Sequence, residues 1–341
     1  MQIVMKRGKE AIVNKYIWEK IEQNKGMVDT DKVAEIFDIS RKTVYEYLRK
    51  SINRGELRYI RRGTYQFITN KVVDEYIDIE KGKSDEMIIY DKWIKKHLED
   101  FPQNVRDIWI YACTEMLNNV IDHSDSKDVH IMVEKNIWNT RILISDVGIG
   151  IFRKIKEFFD FDSETEAMQE LFKGKLTTDS ENHSGEGIFF TSRVMDEFLV
   201  VSGSEVFKHN NFEDYYLRKN EWENDKSTIV IMNLSNHSGR QIADIFNEHS
   251  DDEGRFLRMS LTLRNIFANN NPVSRSQAKR LVRRFEEYEE IMLDFEGVEN
   301  IGQGFVHELF IVFKQKQPHI KIDVLNPSEN VKKMITHVTQ R

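Results

Sequence analysis

Residues 115–123 read EMLNNVIDH, a stretch with polar side chains at regular spacing. Glu115, Asn119 and His123 lie four residues apart, and at about 100° per residue such positions stay on one side of an α-helix. An apolar helical pattern over residues 105–123 surrounds them. We therefore expect the carboxylate of Glu115 and the amide of Asn119 to project from the same side of this helix.

A second motif, RILISDVGIGI, follows at residues 141–151. It predicts an apolar strand that ends at Asp146, so that the carboxylate stands at the strand end. Gly148 and Gly150 follow directly and allow the backbone to pass close to a ligand. This segment therefore predicts a binding edge at one end of a sheet.

A third motif, HSGEGIFF, occupies residues 183–190. It places Gly185 and Gly187 at the start of a helix, where free N–H groups and the helix dipole favour phosphate. The strand STIVIMNL comes next at 227–234. The order of these motifs resembles that of the GHKL ATP-binding superfamily, which includes gyrase, chaperone, histidine-kinase and mismatch-repair ATPases, and the resemblance covers roughly residues 87–235.

The resemblance implies that ATP and Mg²⁺ are the cofactors. Asn119 would coordinate Mg²⁺ through its side-chain oxygen, and Asp146 would accept a hydrogen bond from the adenine amino group. Glu115 would be the catalytic carboxylate that activates a water or a hydroxyl group. Gly148 and Gly150 would line the base pocket, and Gly185 and Gly187 would hold the phosphates. Thr228 would support the adenine contact from its strand.

The segment between the glycine motifs would cover the triphosphate. By the same resemblance this lid comprises residues 151–184 and includes Lys173, Lys175, Thr177 and Thr178. The box GEGIFF is shorter than the glycine-rich box common in the family, so fewer phosphate contacts are expected. A helix with the acceptor histidine, acidic residue and proline of a histidine kinase is missing, so a typical histidine kinase is not expected.

The function expected from these motifs is an ATP/Mg-binding regulatory switch with slow ATPase-type turnover. Two alternatives stay open. One is an anti-sigma-type serine/threonine kinase, in which Glu115 activates a hydroxyl group on a separate partner. The other is a non-enzymatic docking scaffold. Whether the chain is an enzyme is therefore undecided between ATP hydrolysis, protein phosphorylation and neither.

Residues 1–70, called the head, carry 15 basic and 9 acidic residues, whereas the whole chain has a net charge of −7. Helical patterns with capping residues at Asp29 and Ser40 precede two short strand patterns around Arg61-Arg62-Gly63. The head resembles a winged helix-turn-helix. That resemblance implies binding to double-stranded DNA through Arg41, Lys42 and Tyr45 of the third helix and through Arg61 and Arg62 of the wing. Protein docking is the alternative.

The tail from about residue 254 reads as a small α/β unit. The stretches SRSQAKRL, LDFEGVENIGQGF and VKKMI are similar to STAS-like domains of unknown function, which implies a protein partner. In related antagonist proteins a serine or threonine in the loop after the central strand is phosphorylated. The corresponding loop 299–304 has no hydroxyl group, so the tail is not expected to be phosphorylated there.

Composition excludes several classes of protein. Of the 341 residues 40% are hydrophobic and 31% charged, with 16 Gly and 4 Pro, which is unlike disordered or collagen-like chains. The single cysteine, Cys113, excludes an internal disulfide and multi-cysteine zinc sites. No apolar run approaches the roughly 18–20 residues of a membrane helix, so no membrane contact and a cytoplasmic location are expected, while an oligomer stays open.

The predicted fold class is α+β multidomain. It comprises a winged helix, then a GHKL α/β sandwich with helices on one face of a mixed sheet, then a small STAS-like α/β domain. The expected boundaries are 1–75 for the winged helix, 76–86 for a linker, 87–240 for the ATP-binding domain and 241–341 for the STAS-like domain.

Overall fold

The computed structural model describes residues 2–178, 185–209, 227–250, 253, 255–267 and 271–340. The chain divides into two compact units. The first comprises Met1–Ile151 and Met195–Gly239, and the second comprises Phe152–Val194 and Arg240–Arg341. The α+β class predicted from the sequence is confirmed, since helices and sheets occupy both units.

The head begins the first unit. Its elements are α1 (Gln2–Gln23), α2 (Thr30–Ile36), α3 (Arg41–Asn53), β1 (Leu57–Arg61) and β2 (Thr64–Phe67). The side chain of Asp29 accepts hydrogen bonds from two N–H groups at the start of α2, and Ser40 accepts one at the start of α3, as predicted. The strands pair as an antiparallel hairpin, and Gly63 lies at its tip with φ +70°.

The rest of the first unit is built on one antiparallel sheet. Its elements are β3 (Asn70–Asp78), α4 (Glu86–Trp93), α5 (Gln103–His123), β4 (Asp128–Lys135), β5 (Asn139–Asp146), β6 (Glu197–Ser202), β7 (Glu205–His209) and β8 (Thr228–Ser235). Among the described residues these strands follow the order β3-β4-β5-β8-β6-β7, with every neighbouring pair antiparallel. Helix α5 contacts β5 and α4. Leu143, Leu199 and Ile231, on neighbouring strands of the sheet, belong to one buried apolar cluster.

Strand β3 corrects the predicted linker. The sequence predicts a winged helix over residues 1–75 and a linker over 76–86, yet Asn70–Asp78 pairs with β4 along its length. Most side chains of β3 are exposed, and Val73 is its one buried residue. The polar sequence is that of an edge strand, which has one partner and one solvated side.

The head packs against one end of this sheet. Ile137 and Trp138, in the turn between β4 and β5, pack against the hydrophobic core of the head. The ring of His237, just after β8, stacks on the indole of Trp18 with ring centroids 5.8 Å apart. The head is therefore joined to the sheet by buried contacts as well as by the chain.

The second unit combines the segment Phe152–Val194 with the C-terminal part of the chain. Its elements are α6 (Ile151–Phe159), α7 (Glu164–Leu171), α8 (Gly187–Val194), α9 (Ile242–His249), β9 (Arg258–Thr262), α10 (Leu263–Ile266), α11 (Arg275–Leu281), β10 (Glu290–Asp294), α12 (Gln303–Val306), α13 (Lys314–Lys316), β11 (Lys321–Leu325) and α14 (Glu329–Thr339). A π-helical stretch, His307–Phe313, joins α12 to α13.

Three strands of the second unit form a parallel sheet in the order β11-β10-β9, counted over the part of the chain that the structure describes. Ser274 and Gln277 form a capping box at the start of α11. The predicted boundary at residue 240 differs from this unit, because Phe152–Val194, which contains α7, α8 and nearly all of α6, belongs to the same compact unit as Arg240–Arg341. None of the described helices is both long and apolar enough to cross a bilayer.

Candidate functional site

Three polar side chains stand side by side where neighbouring strands of the first unit end. Asp146 closes β5, Thr228 opens β8 and Ser202 closes β6, and the sheet register pairs Thr228 with each of the other two. All three are buried, with 4%, 8% and 1% of their surfaces exposed, respectively. The hydroxyl oxygens of Ser202 and Thr228 are 3.4 Å apart. This row of three side chains places a carboxylate and two hydroxyl groups at one end of the central strands β5, β8 and β6.

Burial sets the electrostatics of Asp146. Loss of solvent raises the pKa of its carboxyl group to about 6, although the backbone N–H groups of Gly148 and Thr228 donate to it and oppose the shift. The Gly148 nitrogen lies 2.8 Å from Oδ1. A carboxylate held at this edge can accept further hydrogen bonds, and an amino group on a ligand is the complementary donor.

Gly148 lies against the end of helix α5. A Cβ atom on this residue would be 1.9 Å from the carbonyl oxygen of Ser124, so only glycine fits. The next N–H group, that of Ile149, donates to the same carbonyl at 2.8 Å. The loop after β5 is thereby attached to α5.

Gly150 completes this loop in a left-handed conformation. Its φ is +85°, and a Cβ atom there would lie 3.0 Å from Oγ of Ser202. The following N–H group, of Ile151, donates to the hydroxyl oxygen of Thr228 at 3.0 Å. Gly148 and Gly150 therefore hold the loop between α5 and the row of buried polar side chains.

We predict that Gly148→Ala opens this loop. The added methyl group must displace backbone at Ser124, which for a buried overpacking change costs about 1–3 kcal/mol of stability. Gly239→Ala is the matched control, because nothing lies within 4 Å of a Cβ atom at Gly239. Thermal unfolding of both variants checks this. Equal melting temperatures would show that the Gly148 contact does not constrain the fold.

Glu115 and Asn119 lie on α5, upstream of Ser124, and both are half-buried. They are one helical turn apart on the same side of the helix, as the sequence predicts. Among the described residues no group of three His, Cys, Asp or Glu side chains is arranged to hold a metal ion. A divalent ion at Asn119 would therefore take most of its ligands from elsewhere, and Mg²⁺ commonly keeps water and phosphate oxygens as ligands.

Gly185 and Gly187 belong to the second unit. Gly185 has φ +72°, and a Cβ atom there would lie 2.6 Å from the backbone nitrogen of Leu176. Gly187 is the first residue of α8. Residues 183–184 of this motif, and residues 179–184 of the predicted lid, lie outside the described residues.

Lys173 differs from the role predicted for it in the lid. Its side chain is 2% exposed, and its Nζ lies 2.6 Å from Glu170 Oε1. The same ammonium group donates to the carbonyl oxygens of Arg280 and Arg283. Lys173 therefore points into the second unit, where burial and these three partners fix it, and it is not presented on an open surface for phosphate.

Lys175 is also engaged within the second unit. Its ammonium group donates to the Glu287 carbonyl at 2.8 Å and lies 4.6 Å from the centre of the Tyr288 ring. The phenol of Tyr288 in turn donates to the carbonyl of Lys173 at 2.7 Å. Sequence reasoning missed these contacts because the partners lie more than a hundred residues further along the chain.

The five residues singled out in the head are exposed, and the structure brings Arg41, Tyr45 and Arg62 together. Arg41 lies 3.2 Å from Asp31 and donates to the Tyr45 hydroxyl at 3.4 Å. Hydrogen bonds from Thr30 and Arg41 lower the pKa of Tyr45, and the charge of Arg62 adds to this effect. The N-terminal end of α3 and the hairpin tip therefore share one surface. Lys42 and Arg61 are exposed on the same two elements.

Sequence reasoning also missed Ser124 and Ser202. Ser124 directly follows the motif EMLNNVIDH, and its importance depends on a close approach to Gly148 that no spacing rule reveals. Ser202 ends a strand in the sequence VVSGS, where the Ser-Gly pair signals a strand end but not which strand lies beside it.

The model of a STAS-like domain of unknown function (DUF4325) matches residues 277–332. The matched part spans α11, β10, α12, β11 and the start of α14, so the STAS-like prediction is confirmed for these residues. A search of curated proteins gives no match.

Proposed function

We propose that the chain is an ATP- and Mg²⁺-binding regulatory protein that couples nucleotide state to DNA or protein binding. The observation that carries the proposal is the buried Asp146 carboxylate, held between Gly148 and Thr228 at the edge of the sheet. A carboxylate in this position is suited to the exocyclic amino group of adenine. The GHKL resemblance supplies the choice of nucleotide.

The residues of the first unit fit such a ligand. The polypeptide backbone at Gly148 and Gly150 leaves no side chain between the loop and a flat base, and Thr228 fixes the loop through the Ile151 N–H group. Asn119 offers an amide oxygen for Mg²⁺, and Glu115 offers a carboxylate one turn away. Phosphate binding by Gly185 and Gly187 stays a prediction from the sequence.

We predict different effects from two substitutions on α5. Asn119→Ala should abolish the gain in ATP affinity that Mg²⁺ provides, because the amide oxygen is removed while alanine is a good helix former. Glu115→Gln should leave ATP binding within about twofold and lower turnover at least tenfold, because it removes the base. Calorimetry with and without Mg²⁺ measures the first, and release of labelled phosphate measures the second.

The labelled products distinguish ATP hydrolysis from protein phosphorylation. Free labelled phosphate supports ATP hydrolysis, whereas label on an added protein supports the anti-sigma-type kinase. Unchanged turnover in Glu115→Gln would assign that residue a structural role. Absence of ATP binding by the folded native chain would contradict the proposal and leave the docking scaffold.

The arrangement of the first unit suggests how coupling would occur. Strands β5 and β8 run between the row at Asp146 and the turn that packs against the head. Eight residues of strand span roughly 25 Å. A ligand that shifts β5 or β8 at one end would act on Trp138 and His237 at the other, provided that it binds two states of the strand pair with different affinity.

The DNA-binding part of the proposal makes its own prediction. The exposed surface that includes Arg41, Tyr45 and Arg62 is suited to a duplex, and affinity should fall steeply with salt because neutralised phosphates release counterions. Arg61→Ala/Arg62→Ala in the full chain should flatten the slope of log affinity against log salt by about two. Fluorescence anisotropy with a labelled duplex measures this.

Lys81→Ala/Lys83→Ala is the matched control, since it removes two exposed positive charges outside the head. An equal loss of slope in this control would show a general charge effect. Failure of the native chain to bind any duplex at low salt would instead make the head a protein-docking element.

A further inference from the structure

A surface groove of about 360 Å³ lies within the second unit, between the loop after β10 and helix α14. It is lined by Asn300 and Ile301 of the loop and by Asn330, Lys333, Met334 and His337 of the helix. The four helical residues share one face of α14. A groove of this volume is at the lower end of the range for small-molecule sites.

The groove lies near one edge of the parallel sheet. β10 and β11 pair in parallel up to Asp294 and Leu325, so the loop after β10 and the start of α14 both leave from the carboxyl ends of these strands. The groove therefore lies on the side of the sheet where these strands end, between the loop after β10 and helix α14.

Hydrogen bonds hold the two walls of the groove together. The Asn330 side-chain amide donates to Oδ1 of Asn300 at 3.1 Å. The hydroxyl of Ser328 donates to the Glu299 carbonyl at 2.9 Å, and the Gly302 N–H group ties the loop to the Pro272 carbonyl, before α11, at 2.9 Å. Hydrogen bonds within the protein therefore hold the loop against the helix, which lowers the ordering cost of binding.

The lining combines hydrogen-bond donors with an apolar floor. Within the described part of the chain, the Lys333 ammonium forms no ion pair, whereas the neighbouring Lys332 is 2.9 Å from Glu329. Ile301 is 5% exposed and Met334 is half-buried, so both supply apolar surface. Positive charge and amide donors above such a floor are complementary to an acid group with an apolar extension.

We propose that this groove binds a small organic anion. Its carboxylate or phosphate group would contact Lys333 and the amide donors of Asn300 and Asn330, and its apolar part would lie on Ile301 and Met334. Asn330 and His337 both line the groove and are about 10 Å apart along the helix, so a ligand of up to about this length fits. The inference does not depend on nucleotide binding, because every residue involved lies in the second unit.

The test uses the full chain with ¹³C-methyl-labelled methionine. The chain has 12 methionines, and Met334→Leu identifies the signal of Met334. Hexanoate, hexyl phosphate and the neutral hexanamide are titrated in turn. The Met334 signal should shift and saturate with at least one anion, with a dissociation constant on the order of 1 mM, because few atoms make contact and Glu296 and Glu299 lie in the same loop.

Lys333→Met should weaken anion binding about threefold to fivefold, the range for an exposed charge pair. Lys332→Met is the matched control and should leave it unchanged, since it removes the same charge one residue away. The tighter of the two anions identifies the acid group. The proposal is overturned by a shift that does not saturate, by equal affinity for hexanamide, or by equal losses in the two lysine variants.

Discussion

Replacing Asp146 by asparagine is expected to weaken ATP binding about tenfold to 150-fold, which corresponds to the 1.5–3 kcal/mol of a charge-assisted hydrogen bond. In the native chain the backbone N–H groups of Gly148 and Thr228 already donate to this carboxylate. An asparagine amide would keep its oxygen toward those donors and turn its NH₂ group toward the adenine amino group. Two donors would then face each other.

The same carboxylate gives a pH dependence with a definite sign. Because burial raises the pKa of Asp146 to about 6, ATP affinity should fall as the pH drops below 6, where the carboxyl group becomes protonated and turns into a donor. Asp146→Asn should remove this dependence. Isothermal titration at pH 5 and pH 7.5, on samples with unchanged circular dichroism, measures both effects.

Asp128 provides the control for this pH dependence. Its negative charge contributes to the raised pKa of Asp146, as the smallest of the causes. Asp128→Asn should therefore keep the affinity at pH 7.5 and move the midpoint of the pH profile downward. Unchanged affinity in folded Asp146→Asn would exclude this carboxylate from the nucleotide contact.

Local signals in the sequence were sufficient for two helix starts in the head. Asp29 and Ser40 each cap a helix where the sequence predicts one, because a capping side chain bonds to N–H groups only two or three residues away. Strand β3 lacked such a signal. Its polar residues look like those of a linker, and only pairing with β4 makes them a strand.

The candidate site likewise combines features that are local in sequence with contacts between distant segments. The motif around Asp146 and Gly148 is local and could be recognised, whereas the row of Asp146, Thr228 and Ser202 depends on the register of three strands that are distant in sequence. Lys173 is the extreme case. The GHKL resemblance implied a place for it in a lid over the triphosphate, and only the fold brings it against Arg280 and Arg283.

Lys173→Met should destabilise the second unit by about 3–5 kcal/mol, the cost of removing one partner of a buried ion pair. Burial lowers the pKa of Lys173 and raises the pKa of Glu170, so each charge is maintained largely by the other. Without the ammonium group, Glu170 would remain buried at 2% exposure, and the carbonyl oxygens of Arg280 and Arg283 would lose a donor.

Hydrogen exchange measured by mass spectrometry is the suitable readout, because it reports the opening of α11 and β10 directly. Trp18, Trp93, Trp109 and Trp138 all belong to the first unit, so their fluorescence checks that this unit stays folded.

Two further variants separate the buried charge from the lost hydrogen bonds. Lys173→Met/Glu170→Met removes both charges and should recover part of the stability lost in Lys173→Met. Replacing a buried ion pair by apolar residues is often neutral in stability, but the carbonyl groups of Arg280 and Arg283 still lack their donor. Lys175→Met removes a half-buried lysine that donates to one carbonyl, and should cost only about 1 kcal/mol. Equal exchange protection in Lys173→Met and Lys175→Met would mean that the ion pair contributes no more than a single hydrogen bond to the attachment of the segment around Lys173.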